Sequence, residues 1–280
     1  MIKIITDTTS CITPQMAQEL GIPLLPQFII FGSQQFRDDT ELNSDKFLEK
    51  LKASSTLPKT AAPQPSLYSP IFEEFSRNGH GMIVLCPSTE LSGTFRGASV
   101  AAHDFPTADI NIIDTRSIGS GFGEMVLHAQ RMANLGENTQ TIIDAINQMA
   151  GRERLLFLVD TLEYLYKGGR IGGAKALVGS VLQVKPILEL KNGRVEPLES
   201  QRTKHRALAR FKQIIETDCP DGEVSHLSIM HGGNDAEANA LAQEFKAHFN
   251  TSQIPVCFLP PAMLVHAGPG VIVVSYFKKA

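Results

Sequence analysis

Short apolar runs alternate with helix-patterned segments along the first half of the chain, and this alternation constrains the fold most strongly. The strand candidates are Ile2 to Asp7, Leu24 to Phe31, Met82 to Pro87 and Ile110 to Thr115. The helix candidates between and after them are Pro14 to Leu20, Ser44 to Ala53, Ser66 to Asn78, Ser92 to His103, Ser117 to Leu135 and Thr139 to Met149. Strands that alternate with helices in this way predict a largely parallel sheet covered by helices.

The second half has a different strand pattern. Asn192-Gly193 separates two strand candidates, Val184 to Leu190 and Arg194 to Glu199, and Asn-Gly is the strongest two-residue signal for an antiparallel hairpin. The remaining strand candidates are Leu155 to Asp160, Ser225 to Met230, Val256 to Leu259 and Val271 to Phe277, with helices near Lys204 to Thr217 and Asp235 to Phe249. This half is therefore predicted to contain a mixed sheet with antiparallel pairs, covered by helices.

The length of 280 residues is nearly twice the commonest single-domain length of about 150, which favours two lobes. The helix predicted over Thr139 to Met149 ends at Gly151, and three charged residues follow it. We therefore expect an N-terminal α/β lobe over residues 1–151 and a C-terminal α/β lobe with a mixed sheet over residues 152–280. The proline-rich segment Ser54 to Ser69 is predicted to be an extended surface loop.

The composition argues against several classes of function. A formal net charge of −3 does not favour nucleic-acid binding. The first residues show no secretory signal, and no apolar run approaches the roughly 18 residues of a membrane-spanning helix, so a cytoplasmic protein is expected. The four cysteines are widely spaced and the eight histidines are scattered, which predicts reduced packing thiols, no metal site and no cofactor.

Three clusters of small and hydroxyl residues lie near predicted strand ends and are expected at helix entrances. They are Asp7 to Ser10, Thr60 to Ala62 and Leu91 to Thr94. In open α/β sheets, ligands bind beyond the carboxyl ends of the strands, where helix N-termini favour anions. Three such clusters suggest a site for a phosphate or carboxylate, although each one alone could simply be an N-cap.

Two further motifs occur in the second half. Arg170 lies between glycine pairs in the segment Lys167 to Gly173, where the backbone can approach a neighbour closely and the guanidinium could reach a carboxylate or hydroxyl. His266 comes just before the turn Gly268-Pro269-Gly270. Each also has a purely structural interpretation, as an arginine in a helix-ending turn and as a packing histidine.

Complete catalytic and nucleotide-binding motifs are not found. The segment Gly168 to Lys175 lacks the hydroxyl residue that completes a P-loop, and the spacing of Gly119, Gly121 and Gly123 does not match a dinucleotide fingerprint, so close helix packing is expected there. Ser92 lacks the first glycine of a nucleophile elbow. An acyl hydrolase using Ser92 and His266, or a phosphotransfer enzyme using the glycine-rich turns, is the alternative function.

Taken in order, six segments of the chain resemble the DegV family. They are Ile2 to Thr8, Thr60 to Pro65, Leu91 to Thr94, Val159 to Ile171, Lys185 to Leu188 and His266 to Gly270. The resemblance implies a cytoplasmic, non-catalytic protein of two α/β lobes that holds one long-chain fatty acid, such as palmitate or oleate, in a buried apolar tunnel. It also implies a carrier role in which the carboxyl group is presented to a separate fatty acid kinase subunit, with transient membrane contact but no membrane span.

By position, Thr60 and Ser92 resemble the hydroxyl residues that contact the carboxylate in this family, while Arg170 and His266 resemble polar groups that border the head group and face the partner. Two positions depart from the family pattern. Cys11 stands where an acidic residue is usual, and Ala61 stands where the family has a serine. These departures concern the bonding of the head group and the choice of partner more than the binding of lipid.

The energetics of such a site are favourable. A 16-carbon chain has about 14 methylenes, which at about 0.8 kcal/mol each give roughly 11 kcal/mol of gross transfer free energy, partly offset by ordering and association. The candidate walls are Leu155 to Val159, Val178 to Leu190, and Phe28, Ile29 and Ile30. A third class of function, a scaffold protein without a ligand, predicts a solid interior instead.

Overall fold

The computed structural model describes residues 1–178 and 184–279. Its strands are β1 (Ile2–Asp7), β2 (Leu24–Leu25), β3 (Phe28–Phe31), β4 (Gln34–Arg37), β5 (Lys59–Ala61), β6 (Gly81–Cys86), β7 (Ile110–Asp114), β8 (Glu153–Leu158), β9 (Lys185–Lys191), β10 (Arg194–Gln201), β11 (Ser228–His231), β12 (Val256–Phe258) and β13 (Ile272–Phe277). Its α-helices are α1 (Pro14–Leu20), α2 (Ser44–Ala53), α3 (Pro65–Arg77), α4 (Thr94–Ala102), α5 (Ser120–Asn134), α6 (Thr139–Arg152), α7 (Glu163–Lys167), α8 (Lys204–Asp218), α9 (Asp235–His248) and α10 (Pro261–Ala267). Within these ranges, no helix is both long and apolar enough to cross a bilayer.

The first sheet has four parallel strands in the order β2-β1-β6-β7. One face packs on α5 and α6, and buried side chains such as Ile4 and Leu85 contact a helical layer that includes Phe122 and Met125. The other face packs on α3 and α4. The parallel sheet predicted for the first half is confirmed, and its carboxyl-terminal edge is where β1 ends at Asp7 and β6 ends at Cys86.

The second sheet has six strands in the order β10-β9-β8-β13-β11-β12. Only the β11–β12 pair is parallel, so the predicted mixed sheet is confirmed. Asn192 and Gly193 both have positive φ angles, 51° and 79°, as the two central residues of a type I′ hairpin turn require.

The two faces of this sheet follow the two-residue period of a strand. Leu156, Ile187 and Val274 point to α8 and α9 and form one apolar cluster with Phe211 and Phe245. The alternate residues, including Phe157, Leu188 and Val273, point the other way into a separate cluster. This second face forms a wall of the site described below.

A third sheet was not predicted, and it corrects two expectations. The segment Leu24 to Phe31 is two strands in different sheets, interrupted by Pro26, which has no N–H to donate to a ladder. Part of the expected loop Ser54 to Ser69 is strand β5, which pairs with β3 in a sheet of order β4-β3-β5, and α3 begins at Pro65. Strand β4 follows β3 directly in a hairpin, but the pairing of β3 with β5 joins segments about 30 residues apart along the chain, which local sequence does not report.

The division into lobes at residue 151 stays a prediction. All strands of the parallel sheet precede it and all strands of the six-stranded sheet follow it. The small third sheet and α2, from the first half, nevertheless pack on the six-stranded sheet, since Phe31 and Phe47 share an apolar cluster with Leu188 and Val273.

The glycines near the start of α5 bring this helix close to its neighbours. A Cβ atom at Gly121 would overlap the carboxyl group of Glu153, and one at Gly123 would overlap the carbonyl oxygen of Ser10. The interpretation of these glycines as close packing is confirmed.

Glu153, at the start of β8, has a carboxyl group buried beneath α5. Ser275 donates a hydrogen bond to it at 3.1 Å. Desolvation outweighs this bond and raises the pKa of Glu153 from 4.5 to about 7. The folded protein therefore binds a proton more tightly here than the unfolded chain does.

We predict that replacing Glu153 with glutamine removes a pH-dependent loss of stability. A raised carboxyl pKa lowers the free energy of unfolding as pH rises from about 4.5 to about 7. Glu153→Gln should therefore increase this free energy by about 1 to 3 kcal/mol at pH 8 and have little effect at pH 4. Denaturant unfolding of both proteins at the two pH values checks this, and an equal effect at both would contradict it.

Candidate functional site

A cavity of about 110 Å³ lies between the six-stranded sheet and the carboxyl-terminal edge of the parallel sheet. Its apolar walls come from the face of the six-stranded sheet, from helices α7 and α10, and from the loops before α3, α4, α5 and α10. These wall residues are Ala62, Leu91, Ile118, Leu155, Phe157, Leu165, Leu190, Val195, Leu259, Ala262, Met263, Ala267 and Val273. Its polar lining residues are Thr9, Gln27, Thr60, Ser92, Arg170 and His266. An apolar cavity with a small set of polar groups is the usual form of a small-molecule site.

The four residues singled out from the sequence all line this cavity, although they come from four distant parts of the chain. Ser92 lies in the loop between β6 and α4, and Thr60 lies on β5. Arg170 follows α7, and His266 lies in the last turn of α10. The structure thus brings all four together, while their roles stay predictions.

Thr60 and His266 contact each other directly, with 2.9 Å between Thr60 Oγ1 and His266 Nε2. Thr60 is on a strand, so the expectation that its cluster stands at a helix entrance is wrong. The hydroxyl reaches the cavity because β5 pairs with β3, where Thr60 lies opposite Ile29. His266 Nδ1 is buried without a hydrogen-bond partner.

Arg170 closes another side of the polar cluster. Its Nε donates to the carbonyl oxygen of Leu91 at 3.0 Å, and its Nη1 donates to that of Gly168 at 2.8 Å. Burial lowers the pKa of Arg170 from its ordinary value. Burial, together with this nearby cation, lowers the pKa of His266 to about 3, so the imidazole is neutral near pH 7.

Glycines allow α7 and α10 to pack closely enough to form this cluster. A Cβ atom at Gly168 would overlap Nδ1 of His266, and one at Gly268, where φ is 78°, would overlap the ring of Tyr164. Gly168 therefore permits close packing beside Arg170, as the sequence suggested, whereas Gly169 has no atom within 4 Å of an added Cβ and has a positive φ of 72°. Gly172 and Gly173 likewise pack on β10, against Val195 and Glu196, and do not form an open phosphate loop.

Behind Ser92 lies a buried polar network that the sequence analysis only partly identified. Ser92 Oγ is 3.0 Å from Thr94 Oγ1, which donates to Asp7 Oδ2 at 2.5 Å. Gln27 Nε2 donates to the same carboxyl oxygen at 2.7 Å. Asp7 and Thr94 were within the predicted clusters, but Gln27 lies in no motif and had no sequence signal.

A second buried acid, Asp38, lies beside this network. It accepts hydrogen bonds from Thr8 Oγ1 and from the backbone N–H of Gln27, both at 2.8 Å. Burial, with the nearby Asp7, raises the pKa of Asp38 to about 7. Burial also raises the pKa of Asp7, against the hydrogen bonds that it accepts.

The expected cavity walls are partly found. Leu155, Phe157 and Leu190 line the cavity, whereas Phe28, Ile29 and Ile30 do not. Ile29 is instead fully buried in the neighbouring apolar cluster. Residues 179–183 of the expected wall Val178 to Leu190 lie outside the described residues.

Neither of the two departures from the family pattern is a lining residue of the cavity. Ala61 is not among them, although Thr60 and Ala62 are, because neighbouring side chains on a strand point to opposite faces. The Cys11 thiol lies 3.8 Å from the Met230 sulfur and within hydrogen-bond reach of Cys257. The missing hydroxyl at Ala61 is therefore not a missing lining group.

The geometry offers no support for a hydrolase based on Ser92 and His266. In the described part of the chain, Ser92 is bonded to Thr94, His266 is bonded to Thr60, and no acid orients Nδ1 of His266. Within the same ranges, no group of three or more His, Cys, Asp or Glu residues is arranged to hold a metal ion.

Comparison with known proteins finds similarity over nearly the whole length of the chain. The sequence model of the DegV family matches residues 1–279. A DegV domain-containing protein of Streptomyces coelicolor is 32% identical over 273 residues, which are 97% of this chain and 96% of that protein. The similarity therefore extends over both halves.

Two solved structures are also similar to this chain over nearly its full length. A fatty-acid-binding DegV family protein from Thermus thermophilus has a TM-score of 0.88 and 28% identity, with 99% of both chains covered. DegV of Bacillus subtilis, a fatty acid binding protein, has a TM-score of 0.86 and 26% identity, again with 99% of both chains covered. The α/β architecture with a parallel and a mixed sheet is common to all three.

We predict that Gly168→Ala lowers the free energy of unfolding by about 1 to 3 kcal/mol, because the added methyl group overlaps His266. Gly151→Ala, near the end of α6, is the matched control: no atom lies within 4 Å of its added Cβ, and it should stabilise the protein by up to about 1 kcal/mol. Chemical denaturation measures both. The cost of Gly168→Ala should shrink in a His266→Ala background, and an unchanged cost there would contradict the proposed contact.

Proposed function

The chain belongs to the DegV family, and from that premise and the cavity we propose that it binds one long-chain fatty acid, such as palmitate or oleate, without catalysing a reaction on it. The carboxylate would lie against Ser92 and Thr60, and the tail would lie along the apolar walls. The observation that carries the proposal is the composition of the cavity, in which hydroxyl groups, one amide, one imidazole and one guanidinium border an otherwise apolar space.

The polar groups suit a carboxylate because a buried anion needs donors in place of water. Ser92 and Thr60 each have one hydroxyl hydrogen, and Arg170 supplies a positive charge at the border of the cavity. The neutral His266 ring can donate from Nε2 to Thr60, which leaves the hydrogen of Thr60 free for the ligand. In this tautomer the buried Nδ1 of His266 carries no hydrogen, so it is an acceptor that lacks a donor.

The apolar walls suit an alkyl tail. Side chains such as Leu155, Phe157 and Val273 present one continuous face of the six-stranded sheet. Each methylene removed from water there contributes about 0.8 kcal/mol. The two solved relatives described above bind fatty acids, which favours this class of ligand over other amphipathic acids.

We further propose that the protein is a cytoplasmic carrier that presents the carboxyl group to a kinase subunit. Arg170 lines both the cavity and an open neighbouring groove of about 360 Å³. Other residues of this groove are Lys175 and Arg194, with Glu90 and the half-exposed Tyr166. A partner seated there would contact Arg170 from the outside while the fatty acid contacts it from within.

The central test is the identity of the bound molecule. Protein purified from a bacterial host and extracted with organic solvent should release about one long-chain fatty acid per chain, measured by mass spectrometry. Delipidated protein should take up oleate in calorimetric titration. An empty cavity together with no uptake of palmitate or oleate would refute the proposal.

We expect Ser92→Ala to weaken oleate binding by about 1 to 3 kcal/mol, or roughly 5- to 150-fold, because a charged acceptor loses a donor. Ser99→Ala is the matched control. Ser99 lies on α4 but bonds the backbone of Phe95 and does not line the cavity. Competition against a fluorescent fatty acid measures both, and equal affinities for Ser92→Ala and the control would count against the head-group assignment.

Arg170→Ala and His266→Ala should reduce acyl phosphate formation by a fatty acid kinase more than they reduce oleate affinity. The expected reason is that Arg170 lines both the cavity and the groove, and that His266 lines the cavity close to Arg170. Lys212→Ala, which removes a surface ion pair with Glu244, should leave both measurements unchanged. Equal losses of kinase coupling and affinity in the first two variants would argue against a role in facing the partner.

A further inference from the structure

A chain of two hydrogen bonds connects the cavity with a buried carboxyl group. Ser92, which lines the cavity, contacts Thr94 at 3.0 Å, and Thr94 donates to Asp7 at 2.5 Å. Thr94 and Asp7 are both almost completely buried. We refer to these three residues as the Ser92–Thr94–Asp7 chain.

The direction of each bond in this chain follows from counting hydrogens. Asp7 accepts from four donors: the N–H and hydroxyl of Thr9, the side-chain amide of Gln27 and the hydroxyl of Thr94. A hydroxyl has one hydrogen, so Thr94 has none left for Ser92. The amide of Gln27 also donates to Thr94 Oγ1, at 3.0 Å. With Asp7 ionised, Ser92 must therefore be the donor to Thr94.

This direction is unfavourable for a bound carboxylate. A Ser92 hydroxyl that donates to Thr94 offers the cavity only a lone pair, which repels an anionic oxygen. Ser92 could turn its hydrogen to the ligand, but Thr94 would then lose that bond. If Asp7 takes up a proton instead, every bond in the chain reverses: Asp7 donates to Thr94, Thr94 donates to Ser92, and Ser92 donates to the ligand.

Charge leads to the same conclusion. The titratable groups that face Asp7 are Asp38, Tyr68 on α3 and Cys86 at the end of β6. Among the described residues, no cation forms an ion pair with Asp7, and a ligand carboxylate would add a further negative charge to this buried region. Like charges in a poorly solvated site favour protonation of one member.

We propose that Asp7 takes up one proton when the cavity takes up a carboxylate, so that the buried site keeps the same net charge. This inference rests on the proposed function. If the ligand enters as the neutral acid, its carboxyl proton is transferred to the Ser92 oxygen. The Ser92 hydroxyl proton then moves to Thr94, and the Thr94 hydroxyl proton moves to Asp7. If it enters as the carboxylate, the proton comes from solution, and in both cases the complex holds a ligand carboxylate and a protonated Asp7.

The test counts protons. Delipidated protein is titrated with oleate below its aggregation concentration at pH 8, in phosphate and in Tris, because the difference in the heats of buffer ionisation reports proton exchange. We expect uptake of close to one proton per oleate. Asp7→Asn should reduce the uptake to near zero, while the control Asp38→Asn, which removes the neighbouring buried acid outside the chain, should leave it near one.

The outcomes separate this inference from the proposed function. Oleate binding by the unchanged protein without proton uptake would overturn the inference and leave fatty acid binding intact, whereas failure to bind oleate would overturn both. Loss of uptake in Asp38→Asn but not in Asp7→Asn would also overturn it. If Asp7→Asn does not fold, infrared difference spectra of the unchanged protein with carboxyl-labelled oleate decide: a new protonated protein carboxyl band supports the inference, and its absence overturns it.

Discussion

The rest of the site depends on the hydrogen bonds around one buried carboxyl group, Asp7. Because Asp7 lies out of reach of water and has no described ion-pair partner, it collects donors from three segments: the turn after β1, the segment at Gln27 and the start of α4. A carboxylate buried without donors would cost several kcal/mol, so the hydrogen bonds to Asp7 hold these three segments together. Ser92 and Thr9 reach the cavity as a consequence of that arrangement.

The opposite side of the cavity depends on close packing between helices. Where α7 meets α10, positions 168 and 268 have room only for glycine. His266 can therefore approach the backbone at Gly168, and Arg170 donates a hydrogen bond to the carbonyl oxygen of Gly168. The neutral imidazole and the guanidinium then share a polar border. The six-stranded sheet adds an apolar face, because alternate residues of its strands point either to α8 and α9 or to the cavity. The polar lining of the cavity and this apolar sheet face thus come from different layers of the fold.

Much of the local structure could be predicted because its signals are local. Helix α1 begins after the capping residue Thr13 and is followed by Gly21 as its C-cap, and the Asn192-Gly193 turn has the backbone angles that this residue pair favours. Strand β1 and helices α1 and α2 have the predicted bounds. The third sheet was missed because β5 pairs with β3, about 30 residues earlier in the chain, and strand pairing leaves little trace in the periodicity of a three-residue strand such as β5.

The sequence by itself determined the two kinds of sheet, the positions of most helices and the family resemblance that singled out Thr60, Ser92, Arg170 and His266. Only the tertiary structure decided that these four residues meet at one cavity, that Gln27 also lines it with Asp38 behind, and that Ala61 does not line it. The physical reason is that helix capping, turn angles and periodicity act over a few residues. A cavity, a buried network and the pKa of His266 depend on side chains that only folding brings together.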